Sequence, residues 1–188
     1  PFEEEIANIR RFGENKKLLP GVPVPPGIEL TTEISDTADS DLVIMAVPSF
    51  AIKSTAEKLA PVLKKGTLVA NAGKGLEQGT HRRFSQVISE ALPEARVVAL
   101  SGPSHAEEVA RGVPTSIISA SEDVEAAEMV QDILMNPNFR IYVNTDVIGV
   151  ELGGALKNVI ALAAGICDGL EVGDNTKAAL MTRALAEI

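Results

Sequence analysis

Apolar and polar positions along the chain follow two alternating rhythms. Short runs rich in β-branched residues recur at 42–47, 67–70, 97–100 and 116–119, and their length suits buried parallel strands. Between them, residues 50–63, 81–92, 105–111 and 124–134 place apolar side chains three and four apart, the spacing of an amphipathic helix. Proline or glycine marks the junctions, at Pro48, Gly66, Gly73, Gly75, Pro93, Gly102, Pro103, Pro114 and Pro137. Strand and helix in turn predict an α/β fold with a doubly wound, mostly parallel sheet. Residues 139–143 read as the final strand. Beyond them the rhythm is helical only: a long apolar stretch at 147–166, a turn at 169–175, and a second helix running to Ile188. A domain boundary is expected near Thr145, with residues 1–145 forming the sheet domain and 146–188 opening a helical one. No strand followed by G-x-G-x-x-G is present, and the last helix reaches Ile188 without a capping signal. The expectation is therefore an internal piece of a longer protein, with the first strand and glycine turn before residue 1.

Composition narrows the partners. Lys and Arg total 17 against 26 Asp and Glu, a net charge of -9 that repels a phosphate backbone, so no nucleic-acid partner is expected. Aromatic residues make up 3% with no Trp, which removes the stacking platforms of single-strand binders. Cys167 stands alone, so no internal disulfide is possible and a cytoplasmic, reducing setting fits. Residues 147–166 are apolar enough to raise the question of a membrane span. Glu151, Lys157 and Asn158 within that stretch argue instead for a helix of a soluble protein, packed on every side, and no membrane partner is expected.

Five constellations could carry chemistry. Val47-Pro48-Ser49 closes the first strand, and open α/β sheets bind ligands beyond the carboxyl ends of their strands. Pro48 could border a cofactor there while Ser49 caps the next helix; any strand-to-helix turn could use the same residues. Lys74 lies between Gly73 and Gly75 after the second strand, which presents its ammonium at the mouth of the sheet or leaves it as a solvated loop lysine. Ser101 to Glu107 follows the third strand. Ser104 and Glu107 have the spacing of a capping box, predicting a helix start whose amides face the same crevice, with or without an anionic or carbonyl ligand. His105, in its first turn, reads as a solvated or packing residue more readily than as an acid or base.

The fourth constellation, 149–158, is the most informative. Lys157 shares a helix face with Gly153, Gly154, Ala161 and Ala164, so something can approach it closely, either a neighbouring backbone or a flat ligand. Partial desolvation would lower its pKa and suit it to general acid-base work. The alternatives are a lysine snorkelling to the surface or one paired with Glu151, although a spacing of six residues argues against that pair. The fifth, 168–177, reads as a turn with an N-cap at Asp174 or Asn175. No metal is expected.

In order and wording these segments resemble the bacterial type of NAD(P)-dependent glycerol-3-phosphate dehydrogenase. The likeness runs from Asn15, Leu19, Pro20 and Gly21 through V-P-S at 47–49, K-G-L-E at 74–77 and S-G-P-S-H-A at 101–106 to G-A-L-K-N at 154–158 and G-D-N-T-K-A-A-L-x-T-R at 173–183. It implies a Rossmann-like domain followed by an all-helical one. The implied reaction is the reversible reduction of dihydroxyacetone phosphate to sn-glycerol 3-phosphate with NADH or NADPH, supplying phospholipid synthesis. By position, Lys157 matches the family's catalytic lysine, and Lys74 a second active-site lysine that touches cofactor and substrate. Gly102 and Ser104 match substrate contacts, Ala106 a cofactor contact, and Asn158 helps orient the substrate. A homodimer is the assembly it leaves open. The choice between NAD and NADP is undecided, because the segments that read the nucleotide are absent, and the 188-residue chain alone is expected not to turn over. Two readings stand beside this one: a β-hydroxyacid or 6-phosphogluconate dehydrogenase of similar plan, and a non-catalytic dinucleotide-binding module.

Overall fold

Five strands lie side by side in sequence order in the computed structural model, which describes residues 3–188. They are β1 (Leu42–Met45), β2 (Leu68–Asn71), β3 (Arg96–Ser101), β4 (Thr115–Ala120) and β5 (Phe139–Asn144). β1, β2 and β3 run parallel, β4 is antiparallel to β3, and β5 is parallel to β4. The sheet is mostly parallel, as expected. Its helices are α1 (Glu3–Phe12), α2 (Ile52–Leu59), α3 (Phe84–Ala91), α4 (Ala106–Ala110), α5 (Val124–Leu134), α6 (Val147–Gly169) and α7 (Asp174–Glu187).

Because side chains alternate along a strand, β2 serves two cores. Val69 packs with Ile52, Leu59, Phe84 and Ile88 of α2 and α3, whereas Leu68 and Ala70 face Val98, Ile117 and the α5 residues Ala126 and Val130. Helices on both faces make the sheet doubly wound. Each fully buried aliphatic side chain in these layers contributes about 1.5–3 kcal/mol over exposure.

Several element ends differ from the sequence reading. β1 stops at Met45 rather than 47, and Ser49 caps nothing: a 3-10 turn at Ser49–Ala51 leads into α2, with no side-chain cap on either. α2 then ends at Leu59, short of residue 63, because Pro61 has no N–H to continue the ladder. α3 begins at Phe84, since a bridge between Leu76 and Arg83 draws the preceding residues into a loop with His81 at φ 59°. α7 starts after Gly173 (φ 86°) without a side-chain cap, so neither Asp174 nor Asn175 takes that role.

α6 shows the largest departure. Asp146 caps it, accepting from the Gly149 N–H at 2.8 Å, and its first turns pack Val147 and Val150 on Ala99 and Ala120 of the sheet. Beyond Gly154 it leaves the sheet, and Leu156, Val159, Leu162 and Ile166 are exposed. Among the described residues α6 is therefore not packed on every side: α7 is the element that continues along it, joined by Lys177 to Asp168 at 2.7 Å. By length and composition α6 could cross a membrane.

Candidate functional site between the sheet and the long helix

The loop after β2 is fixed by its own first residue. Asn71 is buried; its Oδ1 accepts from the Gly73 N–H and its Nδ2 donates to the Gly73 carbonyl, both at 3.1 Å. A Cβ on Gly73 would lie 2.8 Å from Ile52 Cδ1, so a side chain there would have to displace the tip of the buried Ile52 for the loop to lie this close to α2. The next residue, Lys74, is thereby held half-buried over the end of β3, where its Nζ donates to Ser104 Oγ at 3.3 Å. Burial first, and the nearby positive charge of Lys157 second, hold its pKa below the usual lysine value.

Ser104 does not form the expected capping box. Its hydroxyl accepts from Lys74 and donates to the Gly102 carbonyl at 3.3 Å, so α4 starts after His105 with no side-chain cap. Gly102 itself is at φ 139°, and a Cβ there would meet Ile117 Cα at 2.9 Å; the turn after β3 can approach β4 only as glycine. His105 lies on the surface beside Glu107, with 2.9 Å between Nδ1 and Oε2, which matches its solvated reading.

α6 closes the site from the other side. A Cβ on Gly154 would fall 2.6 Å from Ser101 Oγ and 3.8 Å from Lys74 Cγ, so the small-residue stripe seats the helix on the end of β3. The rest of the stripe, Ala161 and Ala164, lines a groove against Met181 and Leu185 of α7. Lys74, Ser101, Gly102, Gly153, Gly154 and Lys157 together line a cleft of about 540 Å³. A second, largely apolar cavity of about 410 Å³ shares Lys74 and Ser101 with it and is also lined by Ala72, Leu100, Ser104 and Ala106. Pro48 and Asn158 line neither. Lys157 is exposed, its Nζ donating to Asn158 Oδ1 at 2.7 Å, so the desolvation expected at Lys157 falls on Lys74 instead. The physical reason is that α6 has already left the sheet at that point, while the glycine loop presses Lys74 against β3 and α6.

Known proteins combine these segments in the same order. The N-terminal family description of NAD-dependent glycerol-3-phosphate dehydrogenase matches residues 2–127, and its C-terminal description matches residues 146–188. This chain belongs to the NAD-dependent glycerol-3-phosphate dehydrogenase family. It is 54% identical over 186 residues to glycerol-3-phosphate dehydrogenase [NAD(P)+] of Desulfitobacterium hafniense, covering 99% of this chain and 52% of that protein. To the corresponding protein of Moorella thermoacetica it is 56% identical, over 96% of this chain and 54% of the relative. The crystal structure of glycerol-3-phosphate dehydrogenase from Coxiella burnetii superimposes with a TM-score of 0.87 at 34% identity, over 98% of this chain and 57% of that one. The Plasmodium falciparum glycerol-3-phosphate dehydrogenase gives a TM-score of 0.90 at 29% identity, over 100% and 53%. The chain thus spans about half the length of the relatives it matches. Family membership removes the β-hydroxyacid and 6-phosphogluconate alternatives.

Two residues of this family member escaped the sequence reading. Glu151, weighed as a charge against a membrane span and as a partner for Lys157, is buried and bonded to Arg83 and Ser85 at the start of α3. Asn71 takes no part in that reading. The usable signal in both cases is a polar side chain inside an apolar run, which must find a partner when buried.

Proposed function

We propose that the full-length protein is an NAD(P)-dependent glycerol-3-phosphate dehydrogenase of the cytoplasm, acting on small molecules and interconverting dihydroxyacetone phosphate and sn-glycerol 3-phosphate. The observation that carries this reading is the convergence of Lys74, Gly102 and Lys157, from three distant parts of the chain, on one cleft, with Ser104 bonded to Lys74 at its edge. Residues 1–145 would then form the nucleotide-binding domain and residues 146–188 the start of the helical substrate domain.

The residues present suit a nicotinamide cofactor. The 410 Å³ cavity offers apolar walls from Ala72, Leu100 and Ala106 and one cation, Lys74, at its junction with the cleft. Ala106 and Lys74 would hold the nicotinamide end, with Pro48 on the adjoining turn. Bound there, NAD(P)H supplies a hydride to the ketone carbon.

The chain's own side chains handle the charge and the proton. Reduction leaves negative charge on the carbonyl oxygen; Lys74 faces that charge with its ammonium, and Lys157 holds the proton that neutralises it. In the reverse direction neutral Lys157 takes the hydroxyl proton. Ser104 and the Gly102 turn orient the substrate, and Asn158 holds the Lys157 ammonium through its Oδ1. In the full-length enzyme, Lys157→Ala is expected to cut turnover by at least ~10²-fold with nucleotide binding nearly unchanged. Near-normal turnover in steady-state assays of that variant would reject the assignment. The same assay should show dihydroxyacetone reduced far more poorly than its phosphate, because so small a ketone binds mainly through charge-assisted bonds to phosphate.

A further inference from the structure

Lys157 sits on the part of α6 that has lost the support of the sheet, yet its place over Lys74 has to be held. Among the described residues Glu151 is a polar anchor suited to that purpose. It is buried six residues, about 1.7 turns, before Lys157, with its side chain 7% exposed. Its Oε1 accepts from the Ser85 backbone N–H at 2.8 Å, and its Oε2 accepts from Arg83 Nη1 at 2.9 Å and from Ser85 Oγ. Arg83 Nη1 also donates to Ser85 Oγ at 2.9 Å, which closes the cluster. Ser85 is the second residue of α3, so a carboxylate from α6 satisfies one of the free amides at the α3 N-terminus, where the helix dipole favours negative charge.

We infer that Glu151 is a positioning residue: clamped to Arg83, just before α3, and to Ser85 in its first turn, it sets the depth and rotation of α6 and thereby the placement of Lys157 over Lys74. The inference rests on the role given to Lys157 above. Glu151, Gly154 and Lys157 are three residues apart in succession, so they follow one another around the same two turns. The first is tied to the start of α3, the second lies so close to Ser101 and the Lys74 stem that a Cβ would meet them at 2.6 and 3.8 Å, and the third lines the cleft. Apolar contact of Val147 and Val150 with alanines of the sheet gives adhesion but no fixed rotation, because such packing is non-directional. The directional bonds of Glu151 supply it. Glu151 acts through geometry and not through its charge on the cleft, which Arg83 balances.

The test uses the full-length enzyme and a double-mutant cycle. Glu151→Gln keeps the volume but replaces one acceptor facing Arg83 with a donor, and Ser85→Ala removes the two hydroxyl bonds, to Glu151 and from Arg83, while keeping the Ser85 N–H bond, and serves if the first variant does not fold. Either is expected to lower kcat, by up to roughly 10²-fold for Glu151→Gln, with the KM for NAD(P)H unchanged, since a small displacement penalises the reacting geometry and not nucleotide binding. In a Lys157→Ala background the same substitution should cause no further loss, because the residue it positions is gone. Losses that multiply would show a general structural role and overturn the inference, as would unchanged kcat in the variants that fold. Lys157→Ala alone decides the reading of Lys157, so a failure there is told apart from a failure of the clamp.

Discussion

The two halves of the molecule are built on different terms. Around the sheet, Val69, Ile88, Val98 and Val130 are wholly buried, and the polar groups that shape the site are held by short local bonds such as those of Asn71 to Gly73. In the α6 and α7 pair the apolar side chains face outward, with Leu162 at 68% and Leu185 at 83% exposure. The two lysines of the cleft carry this contrast into chemistry. Lys74 belongs to the half with its own core and is half-buried; Lys157 belongs to the other and is exposed. One side of the site is rigid by construction, and the other takes its position from where α6 is fastened.

The sharpest way to break this contrast is amide exchange. In the 188-residue chain, amides of β2 and β3 are expected to exchange at least ~10³-fold more slowly than those of α7, because few buried contacts oppose opening of the helix pair. Equal protection would show that both halves open as one unit. Glycine substitutions sharpen it next. Gly102→Ala forces a Cβ against the Ile117 backbone at an unfavourable φ and should cost about 2–4 kcal/mol. Gly153→Ala meets nothing within 4 Å in the middle of a helix and should add about 0.5–1 kcal/mol. Urea denaturation of the two variants checks the pair, and similar losses would contradict the difference between the halves.

The sequence revealed the sheet but not the fastening. Five strands, the placing of α5 and the convergence of 74, 102–104 and 157 could all be read from periodicity, turn residues and resemblance, because each is local in the chain or carried by a motif. The Glu151 cluster joins residues 66 and 68 positions apart, and no period records such a pairing. Ser104 misled for a related reason: its capping spacing is local, but its hydroxyl is taken by a lysine 30 residues away. Hydropathy also overstated the burial of α6, since an apolar helix looks the same whether or not this chain supplies its neighbours.

The smallest expected effect concerns pH. The depressed pKa of Lys74 means that, between its folded value and the ordinary lysine value, the unfolded chain binds more protons; stability therefore rises with pH through that window, while below it the destabilising effect of the buried charge is fully present and no longer varies with pH. Acylation rates at Lys74 followed against pH should have a midpoint below that of ordinary lysines. Lys157→Met should move the midpoint back only part of the way, because burial, the larger cause, remains. A complete return would make Lys157 the dominant influence and reverse that order.

The seat of Gly154 on Ser101, midway between the clamp and the cleft, makes this part of α6 a ruler. One residue inserted between Glu151 and Lys157 would advance the lysine by about 1.5 Å and turn it by about 100°, away from Lys74, without altering hydropathy or helix propensity. The turn between α6 and α7, with no register to keep, is free of that demand. Length between 151 and 157 is thus a stricter inheritance than the identity of most side chains within it, and a natural or engineered relative that gains or loses a residue there would have to rebuild the cleft around a different lysine.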